Sequence, residues 1–245
     1  MSRNFELLER ASRDMDSFTL GREPFPRVER VSPPPDARTL SREELIKLVQ
    51  RIFLLDHNAR RMVVFTAVEG STGCTSICAG AAEAIAAQVD SPVCVMDANL
   101  RRPALHLCFG AQNLRGLTDS VFKSGPISQF VQKLPGNNLW LLPCGSMASQ
   151  MIAGMKAEHL EARINELRNE FAYILIDSPP VSEHTDAILL GRLTDGAVLV
   201  IESNTTRREV ARIAKEDLEA AQVRVLGAVL NKRTFPIPRF LYDRV

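Results

Sequence analysis

The chain has 245 residues, of which 45% are hydrophobic and 24% charged, and its formal net charge is +1. This length fits one globular α/β unit. A net charge so close to zero does not indicate a nucleic-acid partner. The five cysteines are odd in number and scattered, which indicates a reducing cytosol rather than a disulfide framework. No apolar run reaches the ~18 residues of a membrane span, so a cytoplasmic location is expected.

The N-terminal part carries two local patterns. Apolar residues at helical spacing predict an amphipathic helix at the start of the chain, and clustered prolines after it predict an extended linker. Ser41 and Glu44 form a capping-box pattern, which predicts a helix that runs to about Leu55. The predicted organisation is an amphipathic helix (1–20), a linker (21–40), a main domain (41–234) and a short tail (235–245).

Beyond Leu55, short apolar runs alternate with helical patterns. The runs predict strands near residues 62–67, 93–97, 139–142, 172–177, 197–202 and 225–230. Further helices are predicted near residues 75–89, 126–133, 155–170, 183–193 and 205–221. Alternation of this kind predicts an α/β fold, a mostly parallel sheet with helices on both faces.

The first of these strands is joined to the next helix by Val68-Glu-Gly-Ser-Thr-Gly-Cys-Thr75. A strand, a glycine-containing turn and a helix in this order are typical of a P-loop, which binds phosphates through backbone N–H groups. Gly73 and Thr75 match the G-x-x-x-x-G-K-[ST] pattern, whereas Cys74 stands in place of lysine and Val68 in place of the first glycine. The candidate phosphate-binding residues are Gly70, Ser71, Thr72, Gly73, Cys74, Thr75 and Ser76.

Cys74 has two interpretations. It is either a small buried hydrophobic residue or a reactive thiol, because a helix N-terminus lowers the pKa of cysteine. The first interpretation is preferred. The glycines of the loop also allow a plainer interpretation, in which they mark only a tight turn from strand to helix.

Two further strands end in aspartate. Asp97 follows an apolar run and precedes a polar turn with two arginines, and Asp177 follows a second run and precedes a Pro-Pro turn. In an open parallel sheet, ligands bind beyond the carboxyl ends of the strands. The two carboxylates are therefore expected beside the phosphate site, where they can hold Mg²⁺. Each of them has the alternative role of capping the turn that follows it.

These segments together resemble a family. Val95-Met-Asp-Ala-Asn-Leu-Arg-Arg-Pro103 and Ile174-Leu-Ile-Asp-Ser-Pro-Pro180 are similar to the aspartate motifs of the bacterial tyrosine kinases of capsule and exopolysaccharide synthesis, the CpsD/CapB type. These kinases belong to the MinD/ParA-like P-loop ATPases. The resemblance continues through the segments Gly116–Val121, Leu139–Gly145, Asp195–Ile201, Thr206–Glu209 and Val225–Asn231.

The resemblance implies a nucleotide site with Mg²⁺. It implies catalytic roles for Asp97 and Asp177 and metal binding by Thr75, Asp97 and Asp177. Arg101 is a further candidate for nucleotide binding, and Asn231 stands where the family contacts the nucleotide base, although an ordinary strand-end asparagine is equally compatible. The expected cofactor is ATP or ADP with Mg²⁺, bound weakly or no longer bound.

The chain departs from the family at several positions. Besides Cys74, Glu69 reverses the charge of a signature lysine of the MinD/ParA group, and Asn99 replaces the second aspartate of the Asp-x-Asp motif. The tyrosine-rich tail is missing, since the chain has only two tyrosines. In the family's oligomerisation helix, the aligned residues are Glu44, Lys47 and Gln50, so that one charge is lost.

Three hypotheses remain. The chain is a tyrosine kinase, a non-catalytic relative that acts as a regulator or partner in the same pathway, or a MinD/ParA-like positioning ATPase. Loss of the lysine favours the second hypothesis, and the retained carboxylates favour the first. The partners implied are a Wzz-like membrane chain-length regulator of polysaccharide synthesis or an intact kinase relative, with homo- or hetero-oligomers at the inner face of the membrane.

Overall fold

A computed structural model describes residues 40–55, 60–136, 138–146 and 157–233. The predicted N-terminal helix (1–20), the linker up to residue 39 and the tail (235–245) lie outside these ranges. None of the helices in the described part is long and apolar enough to cross a membrane.

The described chain alternates between strands and helices. The helices are α1 (Arg42–Val49), α2 (Cys74–Ala86), α3 (Leu105–Cys108), α4 (Leu117–Phe122), α5 (Ala157–Glu170), α6 (Asp186–Arg192) and α7 (Arg208–Ala220). The strands are β1 (Met62–Ala67), β2 (Val93–Asp97), β3 (Gln132–Lys133), β4 (Leu139–Leu142), β5 (Tyr173–Ser178), β6 (Ala197–Glu202) and β7 (Val225–Asn231).

The strands form one seven-stranded sheet in the order β3-β4-β2-β5-β1-β6-β7. All neighbours pair in parallel except β3, which is antiparallel to β4 at one edge. β1, β2 and β5 are the central strands, and they are buried along almost their whole length. The predicted fold class, an α/β P-loop fold with a mostly parallel sheet, is confirmed.

Helices cover both faces of the sheet, as the sequence predicts. Alternate residues of β1 point to opposite sides, so that Val63 and Phe65 pack with α1, α2 and α3, whereas Met62 and Val64 pack with α4 to α7. The central strands therefore read as continuous apolar runs, which is typical of parallel sheets buried on both faces.

Helix α1 packs against α2. Its predicted capping box is present, since Glu44 N–H donates to Ser41 Oγ and the Glu44 carboxylate accepts from Ser41 N–H. Gly80 allows the close approach of the two helices, because a Cβ there would lie 2.7 Å from Leu45 Cδ1. After α1 the chain continues as a π-helical turn over Gln50–Leu54.

The helix predicted near residues 126–133 is wrong. The structure has a single 3₁₀ turn over Ile127–Gln129, followed by β3. Ile127 and Phe130 are both buried, and their i, i+3 spacing satisfies one 3₁₀ turn as well as it satisfies an α-helix. The sequence prediction also missed the short helices α3 and α4.

Arg163 on α5 organises the connection between α4 and β3. Its guanidinium donates to the carbonyls of Ser120, Lys123 and Gly125 and pairs with Glu166. Its side chain is only 13% exposed. Several carbonyls of this segment therefore depend on one cation.

We expect Arg163→Ala to lower the free energy of unfolding by about 1–3 kcal/mol, because it removes the donor of three carbonyls, two of which are in partly buried hydrogen bonds. Urea denaturation followed by circular dichroism measures this change. Arg212→Ala is the matched control, because Arg212 pairs with Glu216 at 2.7 Å on the surface of α7, and such pairs contribute about 0–1 kcal/mol. Equal losses in the two variants would contradict the role given to Arg163.

Candidate functional site: a P-loop with two buried carboxylates

The candidate site lies at the carboxyl ends of the central strands. Asp97 ends β2, and it is paired in register with Asp177 on the neighbouring β5. The next strand, β1, leads into the loop of residues 68–73 and then into α2. The parallel topology therefore brings the three segments singled out from the sequence to one edge of the sheet, as predicted.

The loop has the backbone geometry that an anion site requires. Gly73 stands at the N-cap of α2 in the left-handed conformation with φ 81°, and no side chain caps the helix. Ser71 also has a positive φ of 66°. The first N–H groups of a 13-residue helix thus have no side-chain partner at the N-cap, and such groups bind phosphate.

Two residues at the end of β7 hold this loop. Asn231 Nδ2 donates to the Thr72 carbonyl at 2.7 Å, and Lys232 Nζ donates to the Ser71 carbonyl at 2.6 Å. A Cβ on Gly73 would lie 2.6 Å from Asn231 Nδ2, so that this position needs glycine. Asn231 is 2% exposed, and its predicted contact with a nucleotide base remains a prediction.

Cys74 and Thr75 both face Asp177. Thr75 Oγ1 donates to Asp177 Oδ2 at 2.7 Å, and the buried Cys74 thiol lies near the same carboxylate. Burial, together with the charge of Asp177, raises the pKa of Cys74 well above its ordinary value. A thiol in this state is a poor nucleophile, which supports the interpretation of Cys74 as a small buried residue.

Asp97 serves the turn that follows it. Its carboxylate accepts hydrogen bonds from the N–H groups of Asn99, Ala104 and Leu105 at 3.0–3.1 Å. Burial nevertheless raises the pKa of Asp97 to about 6. Arg101, in the same turn, pairs with Asp186 on α6 at 3.6 Å.

The first half of the loop contacts a residue that sequence reasoning missed. Gly70 N–H donates to Glu183 Oε1 at 3.0 Å. Glu183 stands in the turn after β5, six residues beyond Asp177. Its position after the end of a strand is the only sequence feature that could have indicated a role at the site. Lys232 was missed as well, although it follows the candidate Asn231 directly. Ser76 is exposed in the first turn of α2.

The described residues fit a bound phosphate better than they fit a bound metal. Three buried side-chain atoms of this region have no hydrogen-bond partner: Thr72 Oγ1, Asp177 Oδ1 and Asn231 Oδ1. The cradle and these atoms are compatible with a ligand. For Mg²⁺, Asp177 and Thr75 offer free oxygen valences, whereas both oxygens of Asp97 are already engaged by backbone N–H groups. A metal held by Asp177 and Thr75 would neutralise the charge of a bound phosphate.

Comparison with known proteins agrees with this geometry. The family model described as "Cellulose biosynthesis protein BcsQ" matches residues 60–225. The putative tyrosine-protein kinase CapB of Staphylococcus aureus is 30% identical over 178 residues, which are 71% of this chain and 76% of CapB. This chain belongs to the BcsQ family and is a relative of the CapB-type tyrosine-protein kinases. The predicted resemblance is thereby confirmed.

Other relatives extend the comparison. The tyrosine-protein kinase YwqD of Bacillus subtilis (strain 168) is 29% identical over 177 residues, or 72% of this chain and 74% of YwqD. Among solved structures, the chimerical protein CapA2B2 superimposes with a TM-score of 0.71 and 24% identity, covering 79% of this chain and 85% of that protein. The likeness to CapA2B2 concerns the fold alone.

The buried carboxylates predict a pH dependence of stability. Burial and the charge of Asp97 raise the pKa of Asp177 to about 7. The folded state therefore binds a proton more tightly than the unfolded state does. The stabilisation from this proton is fully present below about pH 4, the pKa of an unfolded aspartate, and it is lost as the pH rises to about 7.

We expect Asp177→Asn to gain stability relative to the native chain as the pH rises from 4.5 to 7.5, by an amount on the order of 1–4 kcal/mol. Urea denaturation at several pH values measures this difference. Asp217→Asn, at an exposed position of α7, is the control. A difference between Asp177→Asn and the native chain that does not change with pH would contradict the raised pKa.

Proposed function

We propose that this chain is a degenerate member of the tyrosine kinase family with impaired ATP binding and catalysis. In this proposal it acts as a regulator or partner of the polysaccharide chain-length machinery in capsule or exopolysaccharide synthesis. The observation that carries the proposal is Cys74, which opens α2, is 8% exposed and faces Asp177. A neutral buried thiol thus stands where a phosphate-binding cation is expected.

The consequence for nucleotide binding follows from the size of the missing interaction. A hydrogen bond to a charged group contributes about 1.5–3 kcal/mol, which corresponds to a factor of about 10 to 150 in affinity. The chemical step should suffer more, because the cation stabilises charge that develops in the transition state. The backbone cradle of α2 supports residual phosphate binding.

An active kinase is the second candidate function. Thr75, Asp97 and Asp177 are the groups that a kinase of this family would use for Mg²⁺ and for orienting the attacking hydroxyl. The hydrogen bond from Thr75 to Asp177 at 2.7 Å supports this candidate. The segment from Leu100 to Pro103 favours the kinase branch over a positioning ATPase.

The same proposal extends to partners and location. The chain would work in the cytoplasm, at the inner face of the membrane, through a Wzz-like chain-length regulator or an intact kinase relative. Self-assembly through α1 has little support, because Glu44 caps its own helix and Gln50 Nε2 donates to Gln88 Oε1 at 2.9 Å.

Cys74→Lys tests the nucleotide site. We expect the native chain to bind MgATP and MgADP weakly, with no submicromolar affinity in calorimetry, and to transfer no phosphate to tyrosine. The lysine variant should bind MgATP about 10- to 150-fold more tightly. Cys74→Met is the matched control, since it adds length without charge and should not gain affinity. Submicromolar binding with tyrosine phosphorylation by the native chain would establish the active-kinase candidate instead.

The oligomeric state tests the assembly part of the proposal. We expect the isolated chain to be a monomer or a weak oligomer at micromolar concentration by light scattering. Gln50→Arg restores the charge that the family carries and should increase self-association. Gln88→Ala breaks the same internal hydrogen bond without adding a charge and should leave the chain monomeric. A stable ring formed by the native chain would contradict this part.

A further inference from the structure

The contact between Glu183 and the P-loop has a functional consequence. The Glu183 carboxylate accepts a hydrogen bond from the backbone N–H of Gly70 at 3.0 Å. Backbone N–H groups of a P-loop are the groups that receive phosphate oxygens. The protein's own carboxylate thus stands where the loop would otherwise meet an anionic ligand.

The turn that carries Glu183 is fixed to β1. Val181 N–H donates to the Ala67 carbonyl at 2.9 Å, and Ser182 Oγ donates to the Val68 carbonyl. These bonds extend the pairing of β1 with β5 beyond the ends of both strands. Glu183 therefore follows two residues that are hydrogen-bonded to the end of β1. This position brings its carboxylate to the start of the loop.

The loop is fixed on its other side as well. Asn231 and Lys232 hold the carbonyls of Thr72 and Ser71, and Lys232 also pairs with Glu202 at 3.2 Å. The loop is thus held by its carbonyls toward β7, while the N–H of Gly70 faces the turn after β5. A ligand that competes with Glu183 meets a loop already held in place.

The position of Glu183 identifies the part of a nucleotide with which it competes. The N–H groups at the start of α2 suit the inner phosphates. Thr75 and Asp177 would hold a Mg²⁺, which would neutralise charge on the outer phosphates. Because Asp177 belongs to β5, the terminal phosphate of a bound nucleotide would then lie toward this strand. Glu183 stands in the turn that leaves this strand.

We propose that Glu183 excludes the terminal phosphate of nucleoside triphosphates and makes this site selective for nucleoside diphosphates. The proposal deepens the proposed function and rests on its assumption that the cradle still binds nucleotide. The negative charges of the Glu183 carboxylate and of a terminal phosphate at the same N–H group would repel each other. Cys74 supplies no positive charge to compensate for this repulsion. The unpartnered buried atoms Thr72 Oγ1 and Asn231 Oδ1 independently support a ligand in the same loop.

Calorimetric titration with MgADP and with MgATP tests this proposal. Glu183→Gln removes the charge but keeps an acceptor for Gly70 N–H, and Glu183→Ala removes both. We expect the native chain to prefer MgADP. Glu183→Gln should raise the affinity for MgATP about 5-fold, the size of an exposed charge–charge contact, and change that for MgADP less than 2-fold. Glu161→Gln, at an exposed position of α5, should change neither.

One result would overturn the proposal: an unchanged ratio of the two affinities in both Glu183 variants, whether neither affinity changes or both rise equally. The same titrations are repeated with Glu183 variants that also carry Cys74→Lys. This substitution should raise both affinities into a measurable range, so that their ratio can be measured a second time. If no nucleotide binds to any of these variants, the proposal is wrong, while a non-catalytic partner role still stands. If the native chain proves an active kinase, the proposed function fails, and the affinity ratio still decides the role of Glu183.

Discussion

The two adjacent buried carboxylates are the constraint to which the rest of this site responds. Asp97 and Asp177 lie side by side because β2 and β5 are parallel neighbours in register, and both side chains are fully buried. Two charges in such a place are costly unless they are paired. Asp97 is stabilised by three backbone N–H groups, whereas among the described residues Asp177 accepts one side-chain hydrogen bond, from Thr75. Burial and the charge of Asp97 raise the pKa of Asp177 to about 7, so that a proton neutralises this carboxylate as the pH falls.

The contacts that hold the loop do not depend on a bound nucleotide. The loop needs no nucleotide to hold its shape, because Asn231, Lys232 and Glu183 contact it from both neighbouring elements. In the proposed function, a cysteine in place of the lysine would lower ligand affinity without removing a structural support. A relative that did not turn over ATP would in this way keep the surface of an active family member, which is what a regulatory partner requires.

The sequence predicted the sheet better than it predicted the site. The central strands are continuous apolar runs, and their bounds agree with the structure to within a residue at β1, β2 and β5. The prediction of a helix over residues 126–133 was wrong, because two buried apolar residues at i, i+3 do not distinguish a 3₁₀ turn from an α-helix. The strand-end aspartates could be predicted from topology alone. The contact of Glu183 could not, since it depends on side-chain bonds of a turn whose sequence has no periodic pattern.

The electrostatic character of the site follows from these contacts. Glu69, Glu183 and the two buried aspartates give the surroundings of the loop a negative charge. Lys232, the lysine that contacts the loop, already pairs with Glu202 and donates to the Ser71 carbonyl. In the proposed function, a bound polyphosphate would need Mg²⁺ as its counter-charge, and each additional phosphate would raise the cost of binding. If Glu183 excludes the terminal phosphate as proposed, this site differs from the family's site in more than the residue at position 74. The carboxylate at the N–H of Gly70 would then change which phosphates the loop accepts, even with the backbone cradle intact.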